Sequence, residues 1–250
     1  MMVLRSSYFV VRRMLRWNVA FAILMGLPIV LITILGIVAG DAIDSNLGVP
    51  VMDSIAFTMV LAFQLFGGSY TMELIKQDLF SERKWRMHAL PGSIQGYAFS
   101  VVVSCTLFSA LQGFLLVLFT QWVYGVFWGN LGTIFVMLLG ISLLSQLVCL
   151  VIVMSVKEYS MAERLSEVYG LGSIAIAGIW FRIPERLLDI WLINFLHSYG
   201  NPVSLGMNIV YGFISPAVDV QRAYLSLGIL FAAIAVLALV AMYAGRRKLA

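Results

Sequence analysis

Six long apolar runs constrain this chain more than any other feature. Windows of about 19 residues place them near 18–40, 54–73, 94–124, 131–156, 168–182 and 222–244. About 20 apolar residues in helical form cross the ~30 Å hydrocarbon core of a bilayer. In lipid every backbone polar group must be satisfied internally, which leaves helices or closed barrels. Continuous rather than alternating apolar runs select helices. Composition agrees, with 62% hydrophobic and 11% charged residues among 250 and a mean hydropathy of +0.98. An average soluble domain carries roughly 25% charged residues, so a water-soluble globule is excluded. The expected fold class is an all-α polytopic membrane protein with six transmembrane helices. Cys105 and Cys149 both fall inside apolar runs and read as packing residues. The first run begins near Val19 without a small-residue cleavage site, so it reads as a retained span.

Charge gives the orientation. Thirteen of the 16 Lys and Arg fall in the N-terminal segment, the loops after the second and fourth runs, and the tail. The first of the remaining loops holds Asp41, Asp44 and Asp53 and no base. The positive-inside rule makes the basic side cytoplasmic, so both termini are expected inside a cell membrane crossed an even number of times. The net charge of +4 follows from this topology, and no nucleic-acid partner is expected.

Two stretches stand apart from the spans. Residues 1–17, MMVLRSSYFVVRRMLRW, mix bases with apolar side chains as a helix in the inner headgroup layer does. Residues 183–219 hold two apolar pieces, each short for a crossing, separated by Asn201-Pro202. They read as a hairpin dipping into the outer leaflet, with eight full crossings as the alternative.

Much chemistry is missing. No ionisable residue lies in the middle of a run, which argues against a proton- or sodium-coupled transporter. His88 and His197 are expected on opposite faces, so they cannot share a metal, and no metal site is expected. Neither HExxH nor GxSxG occurs, so no catalytic residue is assigned, and the absence of GxxxxGK[ST] removes the usual ATP-binding loop. Polar residues within the runs, such as Gln64, Gln112, Gln146, Ser109, Ser142 and Ser145, suit interhelical hydrogen bonds or an amphiphilic cargo. The small-residue run YGLGSIAIAGIW, from Tyr169 to Trp180, permits close approach of another backbone.

The loop from Met72 to Ser100 is the most informative. In SERKWRMHALPGS the side chains of Glu82, Lys84, Arg86 and His88 are polar, while Trp85, Ala89 and Leu90 offer apolar surface. This loop resembles that of the permease subunits of type-2 ABC exporters. Their pattern is an acidic residue and bases, a hydrophobic stretch, then Leu-Pro-Val-Ser. Glu82, Arg83, Lys84 and Ala89-Leu90-Pro91 match it, and Gly92 replaces the usual Val before Ser93.

The resemblance implies an amphipathic elbow helix over 1–17 and a coupling helix over 76–93 between spans two and three. It also implies a re-entrant hairpin over 183–219 between spans five and six, all in one permease domain covering 1–250. Such a permease works as a dimer, with a second copy or a similar permease, on two copies of an ABC ATPase subunit. ATP and Mg then belong to that partner, and this chain holds no cofactor. Glu82, Arg83, Lys84, Trp85, Arg86, His88, Ala89, Leu90 and Pro91 would contact the ATPase. Spans two and five would line the substrate pathway, with Gln64, Phe63, Phe66, Ser173 and Ile176 as its candidate residues. Uncharged aromatic walls suit a hydrophobic or amphipathic cargo, such as a peptide antibiotic, a drug or a lipid-like molecule. A non-transporting structural or sensor protein of the membrane is the competing expectation, and it has no need of a docking helix.

Overall fold

A computed structural model describes residues 9–14, 18–40, 42–43, 48–80, 94–156, 158–179, 183–215 and 218–249. Among these residues ten α-helices follow in chain order. They are α1 Asn18–Ala39, α2 Val51–Phe66, α3 Ser69–Ile75, α4 Ile94–Tyr124 and α5 Leu131–Ser155, then α6 Tyr159–Ile176, α7 Glu185–Leu188, α8 Trp191–Ser198, α9 Pro202–Ile214 and α10 Val220–Leu249. Residues 9–14 form a further helical turn, and a π-helical turn, Lys76–Phe80, prolongs α3. Among the described residues the sole β-pairing is an isolated antiparallel bridge between Ile43 and Pro50.

Among the described residues five stretches are long and apolar enough to cross a membrane: Ala22–Ala39, Val51–Asp78, Gly96–Tyr124, Leu131–Ser155 and Val220–Gly245. Their outer faces suit lipid. Ile37, Val38, Trp122, Leu239 and Tyr243 are all more than half exposed. The protein is therefore helical and membrane-embedded in character.

The fifth run departs from expectation. Its helix begins at Tyr159 rather than 168 and ends at Ile176 rather than 182. SMAERLSEV contains no Gly or Pro and is rich in helix formers, so its polarity does not delay the helix. Gly178, at φ 75°, then ends it, because a left-handed backbone costs glycine little.

Helix α2 and the α3 segment form one rod with a break at Gly67-Gly68. There the N–H of Gly68 donates to Leu65 O at 3.3 Å and that of Tyr70 to Gly67 O at 3.2 Å, a local tightening of the ladder. Side chains of α5 enter the break. Ser145 Oγ donates to Leu65 O at 2.5 Å, and Gln146 Nε2 donates to Gly67 O at 3.0 Å. Broken backbone at membrane depth is tolerated where protein polar groups satisfy it, as here.

Helix α5 crosses the whole core. Asn130 caps its start by accepting from Gly132 N at 2.9 Å. Gly140 leaves room for Leu230 of α10, and Gly206 of α9 seats Leu61 and Ile141. At one end of the bundle Phe57, Trp128 and Tyr211 pack edge-to-face, with centroids 4.6 and 5.6 Å from Phe57. Arg13, Lys76, Asp78, Tyr97 and Tyr159 gather at the other, which we call the basic end.

Residues 183–219 enclose a sharp turn at Asn201-Pro202. Asn201 caps α9 by accepting from Val203 N at 3.0 Å, with Pro202 in the first helical turn. Its Nδ2 donates to Ser173 O at 2.5 Å, which ties the turn to α6. Helix α9 runs inward among buried residues such as Val203, Ile209 and Val210, whereas α8 lays Trp191, Leu192 and Phe195 outward.

Candidate functional site

The basic end holds the densest polar network among the described residues, and sequence explains how it assembles. In residues 9–14 the spacing of Val10 and Met14 puts both on one helical face, and both are buried. Met14 Sδ sits 3.8 Å from Cys105 Sγ on α4. That seating presents Arg13 to the turn after α3. Its guanidinium donates two hydrogen bonds from one nitrogen to Asp78, at 2.9 Å to Oδ1 and 2.8 Å to Oδ2. Its second terminal nitrogen donates to Gln77 Oε1. Tyr97, in the first turn of α4, also donates its hydroxyl to Asp78. Asp78 and Tyr97 flank the loop 81–93, so one carboxylate joins both of its ends to the N-terminal segment.

A second strand of the network reaches α6. Gln77 Nε2 donates to Glu73 Oε1 at 2.5 Å, and Tyr159 donates its hydroxyl to Glu73 Oε2 at 2.8 Å. The Lys76 ammonium lies 3.5 Å from the centroid of the Tyr159 ring, a cation–π contact, and 3.9 Å from Glu73. Burial, together with the carboxylates of Glu73 and Glu163, pushes the Tyr159 phenol well above its ordinary value. It therefore serves as a neutral donor at every physiological pH.

Beside this network a cleft of about 650 Å3 opens between α2–α3, α5 and α6. Leu65, Phe66, Met72 and Cys149 make its apolar floor. The rim on α6 carries Glu163, Arg164 and Glu167. The Phe66 ring closes the inner end by lying against Gly170, where an added Cβ would come within 2.8 Å of it.

Of the pathway candidates, Phe66 sits at the α2–α6 contact, where its ring meets Gly170. Phe63 packs edge-on to Phe66 at 6.2 Å. Ser173 is buried and gives its carbonyl to Asn201, while Ile176 is 39% exposed and gives its carbonyl to His197 Nδ1 at 2.9 Å. Gln64 turns the other way. Its amide donates to Ser109 Oγ at 3.1 Å and to Ser142 Oγ, which makes it an interhelical tie between α2, α4 and α5. Glu82, Arg83, Lys84, Trp85, Arg86, His88, Ala89, Leu90 and Pro91 lie outside the described residues.

Arg13, Asp78, Tyr97 and Tyr159 were not singled out as site residues by the sequence. The signal that could have found Asp78 is an acid at the end of an apolar run that shares a membrane face with a basic N-terminal segment. Among the described residues no three His, Cys, Asp or Glu converge as metal ligands. No protein-family description, curated protein or solved structure matches this chain.

Proposed function

We propose that the chain is the membrane-spanning permease subunit of an ATP-driven ABC exporter, moving a hydrophobic or amphipathic cargo. The observation that carries this reading is the convergence on Asp78. Residues 76–93 are the segment that resembles a coupling helix, and Asp78 near its start bonds both Arg13 and Tyr97, which follows its end. Charge-assisted bonds of this kind are short and strong, so a push on the loop moves the second and third spans and the N-terminal turn together. A lever needs that rigidity at its base.

On this reading the basic end is cytoplasmic. The apolar half of α6 is the fifth of six spans, residues 9–14 belong to the elbow, and 183–219 are the re-entrant hairpin. The buried amides and hydroxyls serve to hold the spans to one another. ATP and Mg reside on two ATPase subunits, which dock on Glu82 to Pro91 of a permease pair. The α2–α6 contact is the part of the pathway that must open. Purification in mild detergent from native membranes tests the proposal. An ATPase subunit in the eluate, with ATP hydrolysis stimulated by cargo, is the expected result. A chain that purifies without any ATPase, under conditions that keep other ABC complexes whole, contradicts it.

A further inference from the structure

We infer that the cleft between α2–α3, α5 and α6 is a binding site for a lipophilic organic cation. It deepens the permease reading by naming the chemistry of the cargo at its point of entry. At about 650 Å3 the cleft falls within the usual range for small-molecule sites. Its floor offers the side chains of Leu65, Phe66, Met72 and Cys149, with no charge among them. A flat or bulky apolar body gains by leaving water there.

The rim decides the sign of the charge. Glu163 and Glu167 stand one helical turn apart on α6, so both carboxylates face the same opening. Among the described residues neither has an ion-pair partner within 4.0 Å. Lys76, on the turn after α3, is already engaged by Glu73 and the face of Tyr159. The Tyr159 hydroxyl, directed to Glu73, also lies within reach of the Glu163 carboxylate. Arg164 adds one positive charge to the same rim, so the lining carries two negative charges against one. A single cationic head fits between the carboxylates and away from the guanidinium. Phe66 against Gly170 then stops the ligand at the inner end.

Tetraphenylphosphonium and tetraphenylborate share a shape and differ in sign, which makes them suitable probes. The purified chain is placed in lipid nanodiscs, with empty discs as the baseline for partition into lipid. Saturable binding of the phosphonium, and not of the borate, is expected. The double variant E163Q/E167Q should weaken it about tenfold, while R164Q should tighten it by about threefold, because the rim charges act through partly solvated paths. The opposite signs of these effects separate a charge-reading site from a damaged fold. Equal saturable binding of both ions, or phosphonium binding indifferent to all three substitutions, overturns the site. Absence of saturable phosphonium binding by a chain that retains its ATPase also overturns it and leaves the permease reading standing. Cation binding by a chain with no ATPase partner has the converse outcome.

Discussion

Asp78 accepts three hydrogen bonds from two other parts of the chain, and its side chain is only 16% exposed. Asp78→Asn keeps the shape and removes the charge, leaving Arg13 partly buried without its counter-ion. A hydrogen bond to a charged group is worth about 1.5–3 kcal/mol, and a loss of that size is expected. Arg13→Gln should cost a similar amount, and the double variant less than the two together, since the pair vanishes as a unit. Cys105 and Cys149 are free and buried, so a thiol-reactive dye reports unfolding directly. Tyr159 adds a pH signature. Its phenol is held protonated in the fold, whereas the unfolded chain ionises near the ordinary value of about 10. Stability should therefore be insensitive to this group below that pH and fall above it. Tyr159→Phe should lessen the alkaline fall without abolishing it, which a dye-based melting series across pH would reveal. None of these pairings is written in apolar periodicity. Arg13 and Asp78 are 65 positions apart, and only folding makes them neighbours.

At the scale of elements, glycine contacts rank the helix packings. A Cβ on Gly68 would stand 2.9 Å from the backbone oxygen of Ser145, which cannot rotate away. On Gly206 it would meet the methyl tips of Leu61 and Ile141, which can. Gly68→Ala should thus lower the melting temperature more than Gly206→Ala, by an overpacking cost of about 1–3 kcal/mol. Asn201→Ala should cost about 1–2 kcal/mol for the lost cap, with a further penalty for leaving the buried turn untied from Ser173. The long apolar helices were legible because nothing else competes for such runs. Helix α4 spans Ile94–Tyr124 and α5 spans Leu131–Ser155, within a residue of the expected limits. Helix α6 was not, because its first half is polar and only its contacts with Glu73 and Phe66 place it. The break at Gly67-Gly68 was hidden for a related reason. Glycine pairs occur in many unbroken helices, and here the partner side chains Ser145 and Gln146 come from α5.

For the whole molecule, the bases of Arg13, Lys76 and Arg164 lie around one end of the bundle, as an orientation set by charge requires. Arg247→Cys should label from the cytoplasm alone in intact cells, and external labelling would overturn an even number of crossings. On the permease reading, residues 76–93 transmit work from an ATPase to the spans. The most direct test of that coupling uses the double variant Glu82→Ala/Trp85→Ala beside the unaltered chain, each reconstituted with the ATPase in the same nanodiscs. Trp85 is the one large aromatic in loop 81–93, and such anchors often contribute about 2 kcal/mol or more at an interface, roughly 30-fold in affinity. The melting curve should be unchanged, while ATPase binding weakens by at least that factor and cargo-stimulated ATP hydrolysis is lost. Full binding and full stimulation in the double variant would contradict the coupling role and favour a structural protein of the membrane.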